Sequence, residues 1–188
     1  IDRPLLEKSK EYIYVGLDTD FHRNCKDVYD DFIVQSIEDP IALKADLIFT
    51  YTLLEHVPNN KDAVKQIYDV LSEGGECHHY VPSKYHPYSI VLRLVGNSMQ
   101  KKIISLFRPE SVSVTGYPTY FDHCSPGQMK HIFVERGFSN VEIVPYWCAG
   151  NYFIFFFPLF VLVGIFEYIC RLLDFRLFSS GFVISAVQ

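Results

Sequence analysis

Glu55 and His56 stand side by side in YTLLEHVPNN, one turn of chain after the apolar run Leu47-Ile48-Phe49. An imidazole titrates near neutrality and a neighbouring carboxylate can hold its charge, so such a pair can move a proton. An acid and an imidazole can also begin a site for a hard cation or for zinc. The plainer alternative is that Glu55 caps the following helix through backbone amides while His56 packs against the sheet edge. Asp18 closes the β-forming run 12–17. A carboxylate there offers paired acceptors to a vicinal diol, and it can equally serve as a turn former. His123 precedes a Ser-Pro helix start. His78 and His79 are adjacent in a strand, must point to opposite faces, and do not easily share one metal.

The elements that position these groups read as alternating strands and helices. Residues 46–50 suit a strand covered on both faces, because the apolar run is unbroken. After Pro58, Asn59-Asn60 supply an N-cap, and Ala63, Val64, Ile67, Tyr68 and Leu71 recur at helical spacing until Gly74-Gly75 end the helix. Residues 12–17 form a buried strand, 32–34 a further candidate and 76–81 another, with a polar surface helix or loop over 19–31. Residues 5–11 are a short helix or turn and 90–96 are helical, before a less regular stretch, 97–120. Then Ser125 caps a helix with Pro126 at its first position and Met129, Ile132 and Phe133 on one face; Gly137 stops it, and a strand follows. The terminal GFVISAVQ is a last strand.

A chain of 188 residues with 49% hydrophobic and 21% charged residues is one domain with a sizeable core. Its formal net charge of −5, without any basic run, argues against nucleic acid as a partner. The five cysteines are odd in number and contain no CxxC, so neither a disulfide framework nor a zinc site is indicated, and a reducing cytosol fits best. No charged residue occurs from Ile143 to Phe166. That length raises a transmembrane reading, but a spanning helix would put the strands on its two sides on opposite faces of a bilayer. A hydrophobic helical insertion over 152–178, between the last two strands and starting or bending at Pro158, satisfies both. Such a helix can close an apolar pocket, lie in a membrane interface, or bury a dimer contact.

The order of apolar strand, TLLEHVP, amphipathic helix and LSEGG, followed late in the chain by a His, Ser-Pro, helix, Gly-Phe, strand unit, resembles class I S-adenosylmethionine-dependent methyltransferases, especially the small-molecule and quinone-biosynthesis O-methyltransferase branch. The resemblance implies a Rossmann-like α/β fold, mostly parallel with an antiparallel C-terminal hairpin strand, and a variable cap over 88–121 that carries Tyr85, His86 and Tyr88 at its approach. It implies S-adenosyl-L-methionine as cofactor, with Asp18 and Thr19 at the ribose, Ser36 and Ile37 at the adenine, and Thr50 and Tyr51 beside the sulfonium. Where relatives carry an acid at the adenine this chain has Ser36, and Glu38 and Asp39 either take over or stay solvated in the loop. His56, Glu55 and His123 then face the acceptor as the catalytic group, without a metal, since Thr52 stands where the quinone enzymes carry a further acid.

No GxGxG occurs in the chain. The expectation is therefore a fragment that lacks the first, central strand and its glycine loop, with residues 2–4 as the tail of that loop. The function expected is methyl transfer to a small lipophilic or aromatic acceptor, at oxygen, in the cytoplasm, with peripheral contact at the inner membrane face through 152–178 or a homodimer through the same surface. Two other readings stand beside it: a non-catalytic module for membrane or partner binding, and a nicotinamide dehydrogenase, which shares a strand-ending acid but explains TLLEHVP and the terminal hairpin badly.

Overall fold

The structure, a computed structural model, describes residues 9–21, 28–91, 93–94, 96, 117–154 and 156–188. The expected helix or turn over 5–11, most of 19–31 and the irregular cap over 97–116 fall largely outside these residues. Among the described residues six strands divide between two sheets. β1 (Val15–Asp18) pairs in parallel with β2 (Asp31–Val34). β3 (Ala45–Tyr51) pairs in parallel with β4 (Leu71–Pro82), and β4 continues through antiparallel β6 (Gly181–Val187) to antiparallel β5 (Ser139–Tyr146). No described strand joins β1 to β3. The two sheets share one core, since Leu17 of β1, Ile37 beyond β2 and Ile48 of β3 pack on a single apolar cluster.

That cluster is built where the helices lie on the sheet. α1 (Asn60–Val70) buries Ala63, Val64, Ile67 and Val70, and α2 (Pro126–Arg136) buries Met129, Ile132 and Phe133 against Cys77, Val81, Phe182 and Ile184. Asn59 caps α1: its side chain accepts from the amides of Lys61 and Asp62, a contact worth ~1 kcal/mol. Ser125 occupies the N-cap position of α2, but its hydroxyl bonds to Gln128 at 3.0 Å rather than to a backbone amide.

Gly137 ends α2 in the left-handed region, at φ 115°. A Cβ added there has its nearest neighbour 3.7 Å away, at the Tyr68 hydroxyl, so substitution is opposed by backbone conformation and not by space. Gly137→Ala is expected to cost about 1 kcal/mol, read as a lower urea midpoint with an unchanged slope.

Three expectations are corrected. The helix over 60–74 stops at Val70, and Gly74-Gly75 lie inside β4. There the register jumps from Ala45↔Leu71 to Leu47↔Glu76. Gly74 has φ 76°, and a Cβ on Gly75 would stand 2.9 Å from the carbonyl of Ser72, so the pair makes an irregular strand entry and not a helix end. The strand at 46–50 is not covered on both faces: Leu47, Phe49 and Tyr51 are more than half exposed, because no described element packs on that side. The strand expected over 12–17 is paired only from Val15, and Tyr12 and Ile13 before it are exposed.

Candidate active site

β3 ends at Tyr51, Thr52 turns the chain with φ 52°, and a 3-10 turn, Leu54–His56, presents the acid and imidazole together. The turn faces two ways. Leu54 is buried completely and anchors it, while Glu55 is turned inward at 5% exposure. His56 stays about a third exposed at its side chain, with Nε2 3.7 Å from Glu55 Oε1. Residues 117–124 run along this turn. The amides of Tyr120 and Phe121 donate to the Glu55 carbonyl at 2.9 and 3.1 Å, and the Tyr117 ring meets His56 edge-on.

His56 Nδ1 lies 2.8 Å from the Pro118 carbonyl oxygen. A carbonyl only accepts, so Nδ1 carries the proton and the neutral ring keeps its lone pair on Nε2, beside Glu55. The tautomer that can act as a base is thus set by backbone 62 residues away in sequence. Behind it, Glu55 Oε2 is buried without a hydrogen-bond partner, and desolvation pushes its carboxyl up to about 7, against a smaller lowering effect from a backbone hydrogen bond.

Asn60 ties the loop to α1. It is fully buried, its amide nitrogen donates to Asp122 Oδ2 at 2.8 Å, and its side-chain Nδ2 donates to the carbonyls of Leu54 and Asp122. The Asp122 carboxylate also stands 2.7 Å from Nδ1 of His123, which adopts φ 51°. Cys124 completes the group: its Sγ donates to the Asp122 carbonyl, and burial pushes its thiol up. Sequence reading named Glu55, His56 and His123 but missed Asn60 and Asp122. The available signals were the adjacency of Asp122 to His123 and an Asn directly after the N-cap.

The residues expected at the nucleoside lie at the ends of β1, β2 and β3. Asp18 is exposed at the end of β1, where its Oδ1 accepts from the amide of Asp20 at 3.2 Å and from the Thr19 hydroxyl at 3.4 Å. Beyond β2, Ser36 and Glu38 bond to each other, and Glu38 Oε1 accepts from the Asn59 amide at 2.9 Å. Glu38 is therefore a brace between this loop and the cap of α1, not a solvated acid, and Ile37 beside it enters the core. Thr50 bonds through Oγ1 to Nδ1 of His79 at 2.9 Å, and Tyr51 stacks on Tyr80 with ring centroids 4.9 Å apart.

His78 and His79 do point to opposite faces: His78 bonds to Ser185 on the more open side, while His79 is fully buried beside Phe133. The surface hollows lined by Ser9, Lys10, Tyr12, Ile13 and Asp30 and by Pro145, Tyr146, Trp147, Arg171 and Asp174 include none of these site residues.

Residues 3–78 match the profile of a family described as a methyltransferase domain. No curated protein matches the chain. Among solved structures it is similar to a SAM-dependent methyltransferase from Archaeoglobus fulgidus, with 13% identity over 93% of this chain and 75% of that one and a TM-score of 0.52. It is also similar to the CurJ carbon methyltransferase, with 15% identity over 93% of this chain and 41% of that one and a TM-score of 0.51. A third similarity is to a SAM-dependent methyltransferase from Thermotoga maritima, with 12% identity over 83% of this chain and a TM-score of 0.45; the chain spans 63% of that protein's length. The sequence match covers Asp18, β3 and the Glu55-His56 turn, and the fold is the Rossmann-like methyltransferase fold.

Proposed function

We propose that the chain acts as an S-adenosylmethionine-dependent methyltransferase on a small lipophilic or aromatic acceptor, at oxygen, with His56 as the base. The observation that supports it best is the methyltransferase-domain match over residues 3–78, because that stretch contains both the strand-ending Asp18 and the Glu55-His56 turn. The cofactor supplies an electrophilic methyl group on a sulfonium. The residues present fit its nucleoside end in donor chemistry: Asp18 keeps an exposed carboxylate at the end of β1, where a vicinal diol can be accepted. Thr19 and the Ser36-Ile37 loop would stand beside it, and Thr50 and Tyr51 would line the reacting end.

His56 Nε2 takes the acceptor hydroxyl proton, and Glu55 Oε1, 3.7 Å from that same nitrogen, balances the imidazolium that forms. The Pro118 carbonyl holds the ring in the required tautomer throughout. Tyr117, edge-on to His56, favours an aromatic or lipophilic acceptor over a charged one. A second, non-catalytic reading draws on one observation: Ser36 and Glu38, both expected near the adenine, are spent on bracing the loop.

Calorimetry with S-adenosylmethionine and its demethylated product tests the proposal. Micromolar binding of both is expected, weakened at least about tenfold in Asp18→Ala, which removes the paired charge-assisted acceptors for the diol. Binding of NAD in their place would overturn it. Cofactor binding without turnover on any phenolic or lipid-like acceptor would favour the non-catalytic reading.

A further inference from the structure

The chain leaves β5 at Tyr146 and returns to β6 at Gly181, two residues paired with each other in the sheet. Between them it forms a 3-10 turn (Ala149–Phe153), helix α3 (Phe157–Leu172) and a second 3-10 turn (Arg176–Phe178). The stripe that α3 turns toward the protein is narrow: Leu159, Val163, Phe166, Glu167 and Cys170. Every other residue of the helix is exposed, and Arg171 is the sole charge among them.

The one carboxylate of α3 is held inside. Glu167 Oε1 accepts from the amide of Ala149 at 2.8 Å, and Oε2 from that of Gly150 at 3.4 Å. His86, 1% exposed, brings Nε2 to 3.6 Å from the same carboxylate. Its Nδ1 accepts from the Tyr88 amide, so the proton is on the Nε2 that faces Glu167. The helix is thus fastened by its only acid, and its outer sides are left without negative charge.

A helix that is apolar nearly all round needs an apolar medium on its outer sides. Between Tyr152 and Phe178, fifteen apolar or aromatic residues are each more than a third exposed. At ~200 Å² for each large side chain, this is on the order of 1,500 Å², against a few hundred for an ordinary patch and ~800 Å² for one side of a standard interface. The exposed surface wraps around the helix, so a second copy laid on one side would cover only part of it. A lipid phase covers all of it.

Sixteen residues at ~1.5 Å each make α3 shorter than the ~30 Å hydrocarbon core, and no described helix is long and apolar enough to cross a membrane. The paired roots at Tyr146 and Gly181 also keep both ends of the insertion on one side of any bilayer.

We propose that the insertion over 147–180 docks the protein on a lipid surface, with α3 lying in the bilayer interface and its outer face among the acyl chains. Leu162, Ile165, Tyr168 and Leu172, all more than half exposed, enter the apolar layer. Arg171, in the last turn of the helix, would extend its apolar stem along that layer toward the headgroups, while Arg176 in the turn beyond pairs with Asp174 Oδ1 at 2.9 Å and so neutralises the one exposed acid of the insertion. The driving force is apolar burial and not attraction to anionic lipid, in keeping with a net charge of −5. The proposal does not depend on methyl transfer.

Flotation of the full chain with pure phosphatidylcholine vesicles tests it. The protein is expected to float with the vesicles and to stay with them in 0.5 M salt. The double variant Leu162→Glu, Tyr168→Glu should bind about 100-fold more weakly with an unchanged melting temperature, since burying each large apolar group is worth at least the ~1.4 kcal/mol that a factor of ten requires. Should that variant fail to fold, Ile165→Trp in a Trp147→Phe background, which leaves a single tryptophan on the helix, should be quenched by brominated acyl chains. Failure to float, binding that needs anionic lipid and is lost in salt, an unquenched tryptophan, or a vesicle-free dimer that Leu162→Glu dissociates would each overturn it.

Discussion

Replacing His56 by alanine is expected to lower kcat by about 10²- to 10⁴-fold, the range for loss of a positioned general base, while leaving cofactor affinity within a factor of two or so. The expectation rests on two contacts that divide the work of the ring. Nδ1 is committed to the Pro118 carbonyl at 2.8 Å, and Nε2 faces Glu55 Oε1 at 3.7 Å. Only Nε2 can take a proton without breaking the bond that orients the ring. A purely structural histidine would behave differently, because its loss would loosen residues 117–120 and affect binding and turnover together. His56→Asn separates the two cases, since its amide nitrogen sits where Nδ1 does and can still donate to Pro118 but cannot act as a base near neutrality. It should keep the wild-type melting temperature and lose turnover as fully as alanine does. Equal losses of kcat and cofactor affinity in both variants would reduce His56 to packing.

What the sequence made legible, and what it hid, follows the range over which each signal acts. The strand-helix order, the Asn59 cap, the Pro126 start and the Gly137 stop are local, and the structure carries them where periodicity and capping chemistry put them. The helix end at Gly74-Gly75 failed because Leu71 fits the apolar face of a helix and also the first buried position of β4, so the period cannot tell them apart. The exposure of Leu47, Phe49 and Tyr51 was invisible for another reason: an apolar strand records what it can be covered by, not which neighbours are present. In the site, adjacency gave Glu55 with His56. The Asn60–Asp122 bonds and the His56–Pro118 bond each join residues 62 apart, a pairing that one sequence without its fold does not disclose. Glu38 looked like a loop acid because its partner, the Asn59 amide, is backbone and leaves no residue type to read.

Glu55→Gln is expected to stabilise the protein at pH 8 by up to ~3 kcal/mol and to leave stability at pH 4 nearly unchanged. Burial raises the Glu55 carboxyl from 4.5 to about 7. In the unfolded chain the group loses its proton near pH 4.5, whereas the folded chain keeps it until about pH 7. Between those values the folded state binds the extra proton, so stability falls as pH rises, and above the folded value the full cost of a buried charge is present. Glutamine has the same shape and no charge, which removes that slope. His79 and His86 act in the opposite direction: burial pushes them down to about 3 and about 4, so they cost stability as pH falls below 6.5. They are common to both proteins, and the difference between variant and wild type in urea midpoints at pH 4 and pH 8 isolates Glu55. Catalysis should move the other way. If the carboxylate balances an imidazolium on His56, Glu55→Gln gains stability and loses about tenfold in kcat, along with the rise in activity near pH 7 that ionisation of Glu55 would give. A variant that is more stable at pH 8 and fully active would make Glu55 a buried structural acid. A variant with no gain in stability would mean that its charge is already compensated in the fold.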